Sequence, residues 1–288
     1  MAENAAGQAT PRRVEWRAMS DLAQWRIELP PPHVEPSPRR IRVRAGDTLI
    51  ADSTRAQLLA WYGPGRLPTY CLPPQDVRAE LFRPAQPSGQ FRPPPDDGKP
   101  RSDRPTIAYD VVVGDQVVER AARLLRALPP PLDGIEGFWT FTWDAGLSWF
   151  EEALEVHVHA RDPSKRVDTV PSDRHVLVEL DGVVLAESRR PHALFETWLP
   201  TRWYLPLEDV RQELLVPSTT VTQCPYKGTA SYWSVQVGPT LHQDLAWTYP
   251  DPIIENPRIA GLVAFFNEHV DLTIDGVRQQ RPVSPWSR

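Results

Sequence analysis

Alternating apolar and polar residues are the main pattern along this chain. In "HVLVELDGVVLAES" (175–188), two alternating runs flank Asp181-Gly182. Alternation places every second side chain on one face of a strand, and Asp-Gly supplies the two positive φ angles of a type I′ turn, so this segment predicts a β-hairpin. The runs "ASYWSVQVG" and "HVDLTIDG" predict further strands.

Helical signals are short. "PLEDVRQEL" begins with proline and carries acids in its first turn, as helix N-termini do, while "NPRIAGLVAFF" and "AARLLRAL" are weaker matches. The 33 prolines among 288 residues disfavour long helices, because an internal proline removes an intrahelical hydrogen bond. We therefore expect a mainly β fold with short helices.

Two pairs of segments resemble each other at nearly the same offset. "IRVRAGDTLIADSTRA" (41–56) matches "HVLVELDGVVLAESRRP" (175–191), and "YCLPPQDVRAELFRP" (70–84) matches "WYLPLEDVRQELLVP" (203–217). Internal repetition predicts two copies of one structural unit. We expect the copies to pack as a pseudo-dimer, because a surface that pairs with its own copy can be retained within one chain.

The repeats and the composition between them divide the chain. After the matched segments, the second half runs through "CPYKG", whereas the first half has a polar, proline-rich loop instead. The first copy is therefore expected to be degenerate. The predicted divisions are an N-terminal extension at 1–40, a first repeat at 41–160 with its loop at 83–105, a linker at 161–174, a second repeat at 175–280 and a tail at 281–288.

Charge and composition exclude several classes of protein. The net charge of −5 provides no basic stripe for a nucleic acid, and there is no run of eighteen apolar residues to span a membrane. The first residues lack the apolar region of a signal peptide, so a cytoplasmic location is expected. Two cysteines, Cys71 and Cys224, are too few for a disulfide framework.

The second repeat resembles a known family. The motifs "WYLPLEDV", "TVTQCPYKGTASYW" and "DLAWTYPDPIIENPRIAGLVAFFNEHVDL" occur in this order within 175–277. They resemble domain-of-unknown-function family 427, sometimes labelled nucleotidyltransferase-like. The resemblance implies a β-tent fold, in which two small sheets lean together over a pocket. Gln223 stands where members of the family often carry a histidine.

The turn at 224–228 is the first candidate site. An ammonium at Lys227 favours the thiolate of Cys224, the nucleophilic form, and it also suits a phosphate or carboxylate, with the amides around Gly228 open to a ligand. The alternative is structural: Cys224 packs as a small apolar residue, and Gly228 takes a backbone angle that other residues avoid. The catalytic residues stay open, with Cys224, Lys227 and Glu196 as candidates.

Other side chains of the second repeat are expected to complete a pocket around this turn. Glu196 and Glu187 are expected to converge on Lys227 as ligand contacts or as a general base, although an ion pair is an equal alternative for Glu196. Tyr204 and Trp233 are expected to line the walls, while Trp247 is expected to be core. The predicted ligand-binding set is Lys227, Cys224, Thr222, Glu196, Tyr204, Trp233, Glu187 and Gly228.

Two histidines, His157 and His159, are the weak candidates for a metal site. At i and i+2 on a strand they share a face, but no third ligand is apparent nearby. No metal site is predicted beyond these weak candidates, and the sequence leaves the question of a cofactor open.

The sequence supports three functional interpretations. The preferred one is a tandem-domain protein whose second domain binds a small polar or anionic ligand around the Cys-Pro-Tyr-Lys-Gly turn. The alternatives are an enzyme, either a transferase acting on a nucleotide-like substrate or a Cys224-dependent catalyst, and a structural or scaffolding protein.

Overall fold

A computed structural model describes residues 29–62, 66–86, 106–143 and 146–283. Their regular structure is antiparallel β-sheet joined by three-residue 3-10 turns. The predicted mainly β fold is confirmed. In these four ranges, no helix is long and apolar enough to cross a membrane. Most of the predicted loop 83–105 lies outside the described residues.

Eleven strands form what we call the first repeat. They are β1 (His33–Pro36), β2 (Ile41–Ala45), β3 (Thr48–Ser53), β4 (Gln57–Ala60), β5 (Thr69–Cys71), β6 (Phe82–Pro84), β7 (Thr106–Val113), β8 (Gln116–Leu125), β9 (Trp139–Phe141), β10 (Leu147–Glu151) and β11 (Leu154–Val156). Among the described residues, 3-10 turns lie between them at Pro74–Asp76, Ala79–Leu81 and Asp133–Ile135.

The next eleven strands form the second repeat. They are β12 (Val167–Pro171), β13 (Val176–Leu180), β14 (Val183–Ser188), β15 (His192–Glu196), β16 (Arg202–Leu205), β17 (Leu215–Cys224), β18 (Gly228–Val237), β19 (Thr240–Thr248), β20 (Val263–Phe265), β21 (Asp271–Ile274) and β22 (Val277–Arg278). The 3-10 turns are Leu207–Asp209, Gln212–Leu214 and Pro257–Ile259. We call residues 157–166, between the repeats, the connecting segment.

The two repeats have the same strand order. In the second, a seven-stranded sheet runs β12-β15-β16-β20-β19-β18-β17 and a four-stranded sheet runs β14-β13-β21-β22. In the first, β3-β2-β10-β11 reproduces the smaller sheet, while β1-β4-β5 and β9-β8-β7-β6 reproduce the larger one. Leu72 and Trp139 join these last two pieces through paired backbone hydrogen bonds of 2.7 and 2.8 Å. The predicted tandem arrangement is thus visible strand by strand.

The hairpin at 175–188 is confirmed. Strands β13 and β14 pair around Asp181 and Gly182, whose φ angles of 51° and 77° are those of the expected turn. The helix predictions were less accurate. "PLEDVRQEL" forms two separate 3-10 turns, and "NPRIAGLVAFF" forms one such turn followed by β20. "AARLLRAL" begins inside β8, where pairing with β7 and β9 overrides its helical composition.

Two boundaries also differ from the prediction. Strand β1 lies inside the predicted extension 1–40 and pairs with β4, while β12 lies inside the predicted linker 161–174 and pairs with β15. Each is a short edge strand ending in proline, which is tolerated only at a sheet edge. Each repeat therefore begins earlier than its clearest sequence match.

Each repeat has a main core between its two sheets. Ile41 and Val111 belong to this core in the first repeat, and Val176 and Val235 occupy the matching positions in the second. A smaller cluster covers the outer face of each larger sheet. These outer clusters differ in chemistry, and the difference locates the candidate site.

A polar contact is kept in both copies. Ser53 Oγ donates to Asp76 Oδ2 at 2.7 Å, and Ser188 Oγ donates to Asp209 Oδ2 at the same distance. Arg190 also binds Asp209, at 3.0 Å. Since both repeats retain this contact, it serves the fold, anchoring the 3-10 turn after the β5 or β16 strand to the hairpin before it.

Candidate functional site

The Cys-Pro-Tyr-Lys-Gly turn joins β17 to β18. Cys224 and Gly228 are the last paired residues of the hairpin, and the amide of Lys227 donates to the carbonyl of Cys224 at 3.3 Å. The amide of Ile253 donates to the carbonyl of Lys227 at 3.1 Å. The turn is therefore held from two sides, by its own hairpin and by the segment at 251–253.

Gly228 is required by close packing and by its backbone angle. Its φ is 105°, and a Cβ atom there would lie 3.3 Å from both the carbonyl oxygen of Asp251 and the amide nitrogen of Ile253. A larger residue would therefore be strained by its backbone angle and would require the backbone at 251–253 to shift slightly. The expected approach of a ligand to the Gly228 amide is thus restricted on the side of 251–253.

A buried charged cluster lies under the turn. Glu196, at the end of β15, forms an ion pair with Lys227 through Oε2 and a second one with Lys165 through Oε1 at 2.9 Å. The carboxylate side chain is 4% exposed and each lysine side chain 12% exposed. The predicted convergence of Glu196 on Lys227 is present in the structure, in the form of the ion-pair alternative.

The electrostatics of the cluster favour its charged forms. Burial raises the pKa of Glu196, but the two ammonium groups outweigh burial and hold that pKa below its usual range. Burial acts to lower the pKa of Lys227, but Glu196 and neighbouring acidic groups raise it above its ordinary value. Two cations and one anion therefore carry a net positive charge beneath the turn.

Aromatic side chains enclose the cluster. Tyr204 is 1% exposed and accepts a hydrogen bond from Trp247 Nε1 at 3.0 Å. Burial raises the pKa of Tyr204 to about 12 and also raises that of Tyr249, so both hydroxyls keep their protons at neutral pH. Lys165 Nζ lies 5.4 Å from the ring centre of Tyr226. The predicted core position of Trp247 is confirmed by its exposure of 7%.

The connecting segment ties this cluster to the first repeat. The amide of Asp162 donates to the hydroxyl oxygen of Tyr226 at 2.6 Å, and Tyr62 of the first repeat donates its hydroxyl to Asp162 Oδ2 at 2.7 Å. Asp162 is 2% exposed. One buried residue therefore binds a tyrosine from each repeat, immediately beside Lys165.

The first repeat has apolar residues where the second has this cluster. The strand pairings place Trp61 opposite Glu196 in the alignment of the repeats, and Cys71 opposite Tyr204. Leu125 likewise corresponds to Tyr249, and Cys71 and Leu125 belong to an apolar cluster on the outer face of that sheet. The same strand order therefore forms with Trp61 in place of the buried carboxylate of Glu196.

A cleft of about 180 Å³ lies on the other side of the turn. The second repeat supplies Cys224, Pro225 and Gly228 to one wall, together with Gln223, Thr229 and Ile253. Strand β11 and the connecting segment supply the opposite wall, which includes Leu154, Val156 and His159. Apolar walls with a few convergent polar groups are typical of small-molecule sites.

The charged groups of this cleft are partly neutralised. Glu151 binds Arg39 and accepts a hydrogen bond from the hydroxyl of Tyr70 at 2.7 Å. Arg161 pairs with Glu255 at 2.8 Å. Lys227 does not line the cleft; it lies behind the turn with Glu196, and Tyr204 is buried with them.

Three predicted ligand contacts lie elsewhere. Glu187 is exposed on the smaller sheet and pairs with His175 Nε2 at 2.7 Å, so it does not reach the turn. Trp233 packs against the main core of the second repeat. Thr222 is exposed, and its hydroxyl lies 2.9 Å from that of Tyr232. On this strand Tyr232, and not Trp233, faces the side of the charged cluster.

The two candidate metal ligands do not share a strand face. Strand β11 ends at Val156, and Val158 has a φ of 76°, so the chain turns between His157 and His159. His157 is exposed and His159 is buried. Across the part of the chain that the structure describes, no group of three or more His, Cys, Asp or Glu side chains is arranged to hold a metal ion.

Sequence reasoning missed several contributors. Lys165 and Asp162 lie in a stretch interpreted as a linker, and their roles depend on contacts between the repeats, which no local pattern reveals. Tyr226 occupies the variable position of the Cys-Pro-x-Lys-Gly motif. Comparing the two halves of the sequence does not identify Tyr62 either. Its partner Asp162 lies in the connecting segment, which occurs once in the chain.

The architecture and this turn define a duplicated, antiparallel β protein whose second repeat carries the Cys-Pro-Tyr-Lys-Gly turn. The model of the family described as "Domain of unknown function (DUF427)" matches residues 33–93 and 168–276. These segments begin at β1 and in β12, and together they cover more than half of the chain. The chain therefore belongs to the DUF427 family. None of the curated proteins compared with the chain matches it significantly.

Proposed function

We propose that this chain binds a small organic ligand with a polar or anionic group, seated in the cleft against the Cys-Pro-Tyr-Lys-Gly turn. The apolar part of the ligand packs on Leu154, Val156 and Pro225, and its polar group faces Cys224 and Gly228 at the turn. The net positive charge of Lys165, Glu196 and Lys227 behind the turn favours an anion at this end.

The single observation that carries this proposal is the difference between the repeats. Burying charged groups costs free energy even when they are paired, and apolar replacement of a buried ion pair is often neutral or stabilising. The first repeat has Trp61 in place of the carboxylate of Glu196, and Cys71 and Leu125 in place of the tyrosines around it, and keeps the same strand order. Retention of the charged cluster in the second repeat therefore indicates selection for a property other than the fold.

Phenyl phosphate tests the proposal, because it joins an apolar ring to an anionic group. Calorimetric titration of the full chain should give saturable binding with one site per chain. Thr229→Glu adds a carboxylate at the exposed wall of the cleft and should weaken binding at least tenfold, since about 1.4 kcal/mol of repulsion changes affinity by one decade.

The matched control is Thr240→Glu. Thr240 is also an exposed strand threonine, but it lies at the opposite end of the β18–β19 hairpin. The affinity of the Thr240→Glu variant for phenyl phosphate should equal that of the wild type. Equal affinities in both variants, or no saturable heat at millimolar phenyl phosphate, would refute the proposal.

Catalysis by Cys224 is a second candidate function, favoured by one observation. The thiol is half-buried in the same cleft, next to the positive cluster. Nucleophilic catalysis requires a thiol that a bound substrate can reach, and a cleft position supplies that access. Trapping of Cys224 by iodoacetamide, with rates measured against pH, distinguishes a catalytic thiol from an ordinary one.

A further inference from the structure

His159 is a buried polar side chain to which the turn site gives no role. It is 8% exposed, belongs to the connecting segment and lines the cleft opposite Cys224. Its backbone is fixed, because its amide donates to the carbonyl of His157 at 3.0 Å and the next amide, of Ala160, donates to the carbonyl of Pro68 at 3.1 Å.

The tautomer of His159 follows from one hydrogen bond. Nδ1 lies 2.7 Å from the carbonyl oxygen of Ala160. A carbonyl oxygen only accepts, so Nδ1 carries the proton and donates it. In the neutral ring, Nε2 is then a bare acceptor.

Within the described ranges, Nδ1 makes the hydrogen bond of this ring, and Nε2 is not among the fully buried side-chain atoms without a partner. The ring also contacts the aromatic ring of Tyr226, whose centre is 6.0 Å away. Because His159 lines the cleft, its acceptor nitrogen is open to a water molecule or a ligand there. Burial also lowers the pKa of His159 to about 4, so the ring stays a neutral acceptor above that pH.

We propose that the connecting segment completes the ligand site, with His159 Nε2 accepting a hydrogen bond from an O–H or N–H group of the ligand. This inference rests on the proposed function and narrows its ligand class. The ligand is a small organic acid that keeps a proton on its polar group, or that carries a hydroxyl or amine beside its anionic group. His159 acts here as a binding residue, and no proton transfer is invoked.

Phenyl phosphate and phenyl sulfate test this inference as a matched pair. At pH 5 both are monoanions of similar shape, because the second pKa of a phosphate monoester is about 6. Phenyl phosphate then carries an O–H donor and phenyl sulfate carries none. The wild type should bind phenyl phosphate about tenfold more tightly than phenyl sulfate, as expected for one additional hydrogen bond to a charged ligand.

The variants separate hydrogen bonding from folding. His159→Leu should weaken phenyl phosphate binding about tenfold and leave phenyl sulfate binding unchanged, which removes the preference. His159→Gln supplies an amide oxygen near the position of Nε2 and should restore part of it. His192→Leu changes a histidine of β15 outside the cleft and should keep the full preference.

Two patterns would overturn the inference. Equal wild-type affinities for the two anions would contradict an acceptor in the site while leaving the proposed cleft intact. If His159→Leu binds neither anion and His159→Gln does not restore binding, His159 has a structural role. Failure of both anions to bind wild-type protein would instead refute the proposed function itself, and the inference with it.

Discussion

The charged cluster of Glu196, Lys227 and Lys165 leads to an ordered set of stability changes. Removing one partner of a buried ion pair costs about 3–5 kcal/mol when the remaining charge is left uncompensated. In Lys227→Met, Glu196 keeps Lys165 at 2.9 Å, so we expect a smaller loss of about 2 kcal/mol. Glu196→Gln leaves two buried ammonium groups without their carboxylate and should cost the full 3–5 kcal/mol, in round terms.

The fully apolar variant completes this series. Glu196→Leu combined with Lys227→Met and Lys165→Met removes all three charges, including the carboxylate whose position in the first repeat is taken by Trp61. Its stability should lie within about 1 kcal/mol of the wild type, because no charge remains unpaired. Its affinity for phenyl phosphate should nevertheless fall, because the positive charge behind the turn is gone.

Denaturant unfolding followed by tryptophan fluorescence measures these differences, with calorimetry as a check on cooperativity. The reasoning is wrong if Lys227→Met costs as much as Glu196→Gln. It is also wrong if the apolar triple variant is as unstable as Glu196→Gln. In either case Lys165 does not share the carboxylate as described.

Three further predictions concern single residues. The pKa of His159 is lowered from 6.5 to about 4, mainly by burial and with Lys165 adding to the effect, so the unfolded chain binds the extra proton first. The free energy of unfolding should therefore fall by roughly 3 kcal/mol, through this residue, as the pH drops from 6.5 towards 4. The difference in unfolding free energy between the wild type and His159→Gln measures this contribution. A difference that stays constant with pH would contradict the assignment. Gly228→Ala should lower stability by about 1–3 kcal/mol through its φ of 105° and the backbone at 251–253, and an unchanged melting temperature would disprove this. Cys224 should react with iodoacetamide in the native state no faster than a free cysteine. Cys71 should react only on unfolding, because it is buried and burial raises its pKa. Mass spectrometry of native and denatured samples distinguishes the two cysteines.

Sequence patterns predicted those features whose causes are local. The hairpin at 175–188 follows from alternation around Asp-Gly, and the repeat follows from matched motifs. These two cases need only short-range geometry or a comparison of the two halves. Glu196 and Glu187 were both expected to converge on Lys227, and of the two Glu196 reaches it while Glu187 pairs with His175.

The features that the sequence did not predict depend on contacts distant in the chain. The composition of 121–128, which overlaps the end of β8, predicts a helix. Pairing of β8 with β7 and β9 makes the overlapping residues extended instead. Strands β1 and β12 are too short and too rich in proline to stand out. Lys165 and His159 acquire their positions from the packing of one repeat on the other, so their roles are not encoded in neighbouring residues.

Because the two repeats are fused in one chain, the connecting segment can hold the two walls of the cleft together, which a symmetric dimer cannot do. In a dimer of identical chains, every wall of the cleft would occur twice and would separate on dilution. Here Asp162 and His159 occur once, in the connecting segment that joins the two repeats covalently, and Asp162 binds Tyr62 of one repeat and Tyr226 of the other. This short link holds the walls of the cleft together at a high effective concentration, whatever the protein concentration. The cleft is therefore asymmetric, and its two walls stay together when the protein is scarce.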